Sequence, residues 1–158
     1  MTVPRIFNEA LRARRRDRAM RSFPAHDFLY GAMADEMLDR LDDVTRRFSR
    51  ALVIGCPDRR IAQALEARGC AVSCADPGPL WARQAGGDAI REDALPYESG
   101  SFDLILSCGT LDAVNDLPGA LIAMNRALEP DGLLLLSFVG AGSLPVLSDG
   151  CRSPRPTR

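Results

Sequence analysis

Lysine is absent from this chain, and all 20 of its basic residues are arginine. That bias reads as the codon usage of a GC-rich genome before it reads as function. Histidine is almost as scarce. With His26 alone, neither a Cys/His zinc finger nor a Ser-His triad can be assembled, and no metal site is expected. The five cysteines (Cys56, Cys70, Cys74, Cys108 and Cys151) are odd in number and lack C-x-x-C spacing. With no signal peptide evident, they read as inert thiols of a reducing, cytoplasmic compartment. No apolar run approaches the roughly 18 residues of a membrane helix, so no span is expected. An apolar fraction of 46% excludes low-complexity and disordered classes, and 158 residues suit one domain with a real core.

What is present is unevenly charged. Residues 1–21 hold seven arginines (5, 12, 14, 15, 16, 18 and 21) against Glu9 and Asp17, a local charge of +5 in a chain of net charge -1. Such a helix can bind nucleic acid, lipid or an acidic partner, or form a transit peptide. The expectation is a solvated helix that packs its Ile6, Leu11 and Met20 side on the domain. Its two acids argue against a transit peptide. The absence of interleaved aromatics, with an acidic remainder, argues against nucleic acid.

Two helices are predicted first, over 5–21 and 27–43, separated by Pro24. The second repeats Phe28, Leu29, Met33, Met37, Leu38 and Leu41 at three- and four-residue steps. The period then changes. Ala51–Ile54, Ala71–Ala75, Ala89–Arg91, Phe102–Ser107 and Leu133–Val139 read as strands, and 58–68 and 117–128 as helices. Asp76-Pro-Gly-Pro79 reads as the turn that closes the second strand. Near-continuous apolar strands alternating with helices predict a Rossmann-like, doubly wound α/β fold. Its mainly parallel sheet has about five strands in the order 3-2-1-4-5, preceded by the two helices. The expected divisions are 1–48 helical, 49–140 the sheet domain, and 141–158 a loose tail.

In such a sheet, ligands meet the carboxyl ends of the strands. The first strand-to-helix turn presents backbone N–H groups, and an acid after the second strand accepts from ribose hydroxyls. Gly55-Cys-Pro-Asp-Arg59 and Asp76 occupy those positions. Asp93-Ala94, after the third strand, is placed to meet an adenine amino group.

Ala51-Leu-Val-Ile-Gly-Cys56, Ala75-Asp-Pro77, Asp93-Ala-Leu-Pro96, Ser101-Phe-Asp-Leu-Ile105 and Leu128-Glu-Pro-Asp-Gly132 resemble the successive motifs of class I S-adenosylmethionine-dependent methyltransferases. Val114–Leu121 and Arg126-Ala-Leu128 resemble a narrower branch of that family. It holds the carrier-protein methyltransferase of biotin synthesis and the methyltransferase-like assembly factor of respiratory complex I. Ile6-Phe-Asn8, the arginine-rich helix and Asp27-Phe-Leu-Tyr30 resemble the assembly-factor side. The resemblance implies S-adenosylmethionine as cofactor, held by Gly55, Cys56, Asp76, Pro77, Asp93, Ala94 and Ser107, and methyl transfer to an unknown acceptor. No catalytic base is assigned. Ser107, Cys108 and Thr110 lie where acceptor-facing groups belong and also where strand-end packing would put them. The alternative is a degenerate, non-catalytic or hydroxylase-type assembly factor acting on a protein partner such as complex I, in the mitochondrial matrix if the source is eukaryotic.

Two departures from the family pattern stand out. Its glycine-rich turn keeps only Gly55 here, with Pro57 and Arg59 where further glycines belong. The expectation is that Arg59 and Arg60 occlude the methionine end of the cofactor or clamp its carboxylate. The family also continues past the fifth strand, whereas this pattern stops near Leu147, as in a truncated chain. The strand Leu133–Val139 is then expected to be an open edge that associates with a second copy or is covered by Ser143–Leu147.

Overall fold

Ala51–Ile54 and Phe102–Cys108 are buried at every residue. Alternate side chains of a strand point to opposite faces, so both faces of these strands require cover. The computed structural model, which describes residues 5–140, supplies it. In chain order the elements are α1 (Glu9–Ala19), a 3₁₀ turn (Phe23–Ala25), α2 (Phe28–Asp42), β1 (Arg50–Ile54), α3 (Arg60–Ala67) and β2 (Ala71–Asp76). Then follow α4 (Pro79–Ala85), β3 (Asp88–Ala89), β4 (Phe102–Cys108), a 3₁₀ turn (Leu111–Ala113), α5 (Leu117–Ala127) and β5 (Leu128–Ser137). The strands lie in the order β3-β2-β1-β4-β5, and every pairing is parallel. This is the doubly wound sheet that the strand pattern predicts.

Ala51 and Val53 of β1 join Leu104 and Leu106 of β4 under Met37 of α2 and Ile61 and Leu65 of α3. Leu52, Ile54 and Ile105 face the other way, against Ala120, Met124 and Ala127 of α5. One side of the sheet therefore carries α2 and α3, and the other carries α5.

Three elements differ from expectation. The segment read as a turn at Asp76–Pro79 runs directly into α4, which starts on Pro79 and ends on Gly86 at φ 71. A proline at the first helical position loses no intrahelical bond, so Pro79 starts this helix. β5 begins at Leu128, straight after α5, and an irregularity separates Phe102↔Leu128 from Leu104↔Leu133. The third difference is α1. None of its residues is buried, Ile6 just before it is 77% exposed, and Leu11 is 42% exposed. The expected apolar docking face is not used; the helix is held by polar groups. The expected tail 141–158, with its Ser143–Leu147 cover for β5, lies outside the described residues.

One buried acid fixes where the sheet begins. Asp103 in β4 accepts from Ser49 N (2.6 Å) and Arg50 N (2.9 Å), pinning the entry of β1 to its neighbour. An Asp103→Ala change leaves both donors without their acceptor. It should lower stability by about 1–3 kcal/mol, the usual worth of hydrogen bonds to a charged acceptor. A melting temperature equal to that of the parent chain would count against this pin.

Candidate functional site

The carboxyl ends of β1, β2 and β4 meet at Gly55. This residue has φ 85, and a Cβ there would collide with the Cys108 carbonyl and the Thr110 methyl. Only glycine fits both the left-handed backbone and the close approach of β4. Its carbonyl accepts from the Tyr30 hydroxyl of α2 (3.1 Å), which ties the turn to the helical layer.

At the end of β2, Asp76 is completely buried. Its Oδ2 accepts from Cys56 N (3.0 Å) and its Oδ1 from Gly78 N (2.7 Å). The remaining acceptor positions face α1. Arg16 donates from Nε to Oδ1 (2.6 Å) and from Nη2 to Oδ2 (2.8 Å), a bidentate fork. Burial works against the charge of Arg16. Asp76 and, behind it, Glu92 outweigh that and hold the guanidinium above the ordinary arginine range.

One helical turn earlier, Arg12 makes the same kind of fork to Glu92 (3.0 and 2.7 Å) and also donates to the Thr110 carbonyl. Residues four apart share a helix face, so both arginines reach the strand ends together. The helix is stapled at each end as well. Asn115 exchanges two hydrogen bonds with the backbone of Phe7 (2.7 and 3.0 Å), and Asp17 accepts from Leu80 N (3.0 Å). Trp81 donates its indole N–H to the Arg16 carbonyl (2.9 Å).

Beside Asp76 lies a slot of about 230 Å³, with Pro77, Ile90 and Val114 on its walls, Glu92 and Asp93 at its polar end, and Arg12 on the α1 side. The carboxylate of Asp93 is held by Arg91 in a bidentate pair (3.1 and 2.8 Å). A wider cavity of about 610 Å³ opens between α1 and α2, bounded by Leu11, Arg15, Phe23, Tyr30, Met33 and Pro57.

Of the residues singled out in the sequence, Pro77 and Asp93 line the slot, whereas Gly55, Cys56 and Asp76 gather at the strand ends behind it and line neither cavity. Ala94 does not line the slot; it is exposed, with its N–H on the Arg91 carbonyl (3.1 Å). Ser107 is buried inside β4, with its hydroxyl 3.1 Å from that of Thr110. Among the described residues no His/Cys/Asp/Glu cluster could hold a metal.

The expected occlusion by Arg59 and Arg60 is not what these side chains do. Arg59 stands at φ 58, and its guanidinium turns back to the Ala85 carbonyl and Glu66 (2.6 Å). Arg60 pairs with Asp58 (2.6 Å) and Asp27 and lies over the Tyr30 ring. Both charges find acids on their own side of the turn, so neither enters the slot or the wider cavity. The arginines that do reach the site are Arg12 and Arg16, members of the run expected to be solvated. Their i,i+4 spacing was the available signal.

A family model described as a methyltransferase domain matches residues 52–136, more than half of the chain. The chain belongs to the methyltransferase-domain family. The mitochondrial arginine-hydroxylase NDUFAF5 of Danio rerio is 29% identical over 149 residues, covering 88% of this chain and 46% of that protein. The malonyl-[acyl-carrier protein] O-methyltransferase of Enterobacter lignolyticus is 30% identical over 143 residues, covering 86% and 56%. The chain thus spans about half the length of these curated relatives. Among solved structures, PH0226 of Pyrococcus horikoshii superposes with a TM-score of 0.59 at 19% identity, covering 73% of this chain and 58% of its own. The [4+2]-cyclase SpnF does so at 0.56 and 19%, covering 67% and 48%. These likenesses establish the class I methyltransferase fold.

The four described cysteines are all buried and unpaired by disulfides. Burial pushes the Cys108 thiol up to about 12; contact between Cys56 and Cys74 drives the first upward and the second downward, so the pair offsets itself and Cys108 carries the effect. A thiol raised above its unfolded value of about 8.5 adds stability that is full below that pH and lost as pH rises toward the folded value. The melting temperature should therefore fall from about pH 8.5 upward, and Cys108→Ala should flatten part of that slope. A melting temperature constant from pH 8 to 11 would exclude the effect.

Proposed function

We propose that this end of the sheet binds S-adenosylmethionine and that the protein is a methyltransferase acting on an acceptor that enters between α1 and α2. The observation that carries this is the pairing of a buried carboxylate at the end of β2 with an apolar-walled slot beside it. A ribose diol suits Asp76, whose oxygens already gather the N–H groups of Cys56 and Gly78. A planar base suits the space between Pro77, Ile90 and Val114, with Asp93 at its edge. Gly55 would leave the turn bare beside the methionine portion. When bound, the cofactor supplies an electrophilic sulfonium methyl group.

The residues of the chain would then act by holding and aligning. The wider cavity is large enough for a small acceptor or the end of a carrier-borne one, and proximity alone can supply much of such a rate enhancement. Tyr30 is unsuited to be the base: its hydroxyl donates to Gly55, and burial raises its pKa. A second reading, an assembly or hydroxylase-type factor working on a protein partner, is favoured by the Asp76–Arg16 fork, which fills the diol position. The likeness to NDUFAF5 supports it as well.

Calorimetry with S-adenosylhomocysteine tests the first reading. Asp76→Ala removes both diol acceptors and should weaken binding tenfold or more, about 1.4 kcal/mol. Unchanged affinity in a variant that keeps its circular dichroism spectrum would remove Asp76 from the site.

A further inference from the structure

We infer that α1 is a displaceable guard, in which Arg16 stands where the ribose diol of an adenine nucleoside must bind. The inference rests on the cofactor reading above and goes beyond it. A carboxylate offers about four lone-pair positions. Asp76 has all of them filled, by Arg16 Nε and Gly78 N on Oδ1 and by Arg16 Nη2 and Cys56 N on Oδ2. The two backbone donors belong to the turns that build the site and have nowhere else to go. The two from Arg16 come from a separate helix. A diol brings two O–H donors, so it takes over those two positions and no others. Nucleoside binding is then an exchange of Arg16 for ribose.

The helix is built to let go. None of its residues is buried, so its release exposes little apolar surface. Its anchors are ion pairs and hydrogen bonds: Arg12 to Glu92 and the Thr110 carbonyl, Arg16 to Asp76 and the Gly109 carbonyl, Trp81 to the Arg16 carbonyl, Asp17 to Leu80 N, and Asn115 to Phe7. Eleven residues are too few for a stable helix in water once those anchors are lost, so α1 frays as it leaves. The connection that follows is held separately. Phe23 packs edge-on against Trp81 (5.2 Å) and Tyr30 (5.6 Å), and it stays as the pivot. The second arginine couples the base to the ribose. Arg12 lines the slot while holding Glu92, so a base entering the slot loosens the same helix.

Trp81 is the only tryptophan of the chain, and its indole N–H is bonded to the Arg16 carbonyl. Its emission therefore reports the state of α1 without labelling. S-adenosylhomocysteine added to the full chain should shift that emission saturably, and amides of 9–19 should lose hydrogen-exchange protection in parallel. Arg16→Ala should tighten binding tenfold or more, because the ligand no longer competes with an intramolecular cation. Arg18→Ala, an exposed change on the same helix, should leave affinity where it was. If Arg16→Ala does not fold, the exchange measurement on the unaltered chain decides by itself. Binding with undiminished protection of 9–19 and an unmoved Trp81 emission would overturn the guard while leaving the cofactor reading intact. No binding to the unaltered chain or to Arg16→Ala at millimolar ligand would overturn both.

Discussion

A fully buried carboxylate at the end of a central strand is the constraint around which this end of the molecule is organised. Removing an ionised group from water costs far more than any single hydrogen bond returns, so Asp76 needs several donors at once. Two come from the backbone: the turns after β1 and β2 aim Cys56 N and Gly78 N at it. The first of these depends on Gly55, whose left-handed conformation sets the direction of the turn that carries Cys56. The other two donors belong to Arg16, and with them comes the whole of α1. A helix with no buried residue is thus placed by buried acids, Asp76 through Arg16 and Glu92 through Arg12.

The turn after β1 shows how a side chain is absorbed where the resemblance implies a glycine. Arg59 stands in the left-handed region, which costs a side-chain-bearing residue on the order of 1–2 kcal/mol. The guanidinium offsets part of that by reaching the Ala85 carbonyl and Glu66, behind the sheet edge. The consequence is strain in the backbone rather than a blocked cavity. Gly55 has no such escape, because its missing side chain is what lets the end of β4 pack. Two glycine positions of one motif therefore differ in what they demand.

Much of the architecture was legible because its signals are redundant. Burial of β1 and β4 on both faces leaves short apolar runs at 51–54 and 104–106, and α2, α3 and α5 each repeat apolar residues toward one face. Asp76 and Pro77 stood out because an acid after the second strand has one privileged place in this topology. What was hidden depends on contacts across the chain. The seven-residue α4 opens on Gly-Pro, which looks like the continuation of a turn. Glu92 sits next to the more conspicuous Asp93, yet it is Glu92 that is buried and tied to α1, while Asp93 pairs with its neighbour Arg91. Arg12 and Arg16 are chemically identical to their exposed neighbours, and only the acids opposite distinguish them.

The charge distribution acquires a physical meaning from those two pairs. An N-terminal segment of charge +5 faces a remainder with an excess of acids, so attraction between them operates before any specific contact forms. Five of its seven arginines lie outside the two forks, and those on the exposed face supply field rather than contacts. Exposed charges are screened over about 8–10 Å at ordinary ionic strength, whereas the partly buried forks of Arg12 and Arg16 are screened less. The docking of α1 thus has a long-range component that salt weakens and a short-range one that geometry fixes. The sheet beneath depends on neither, because its core is apolar on both faces. Any change in the state of the helix therefore has to give Asp76 replacement donors, while the apolar core holds the strands.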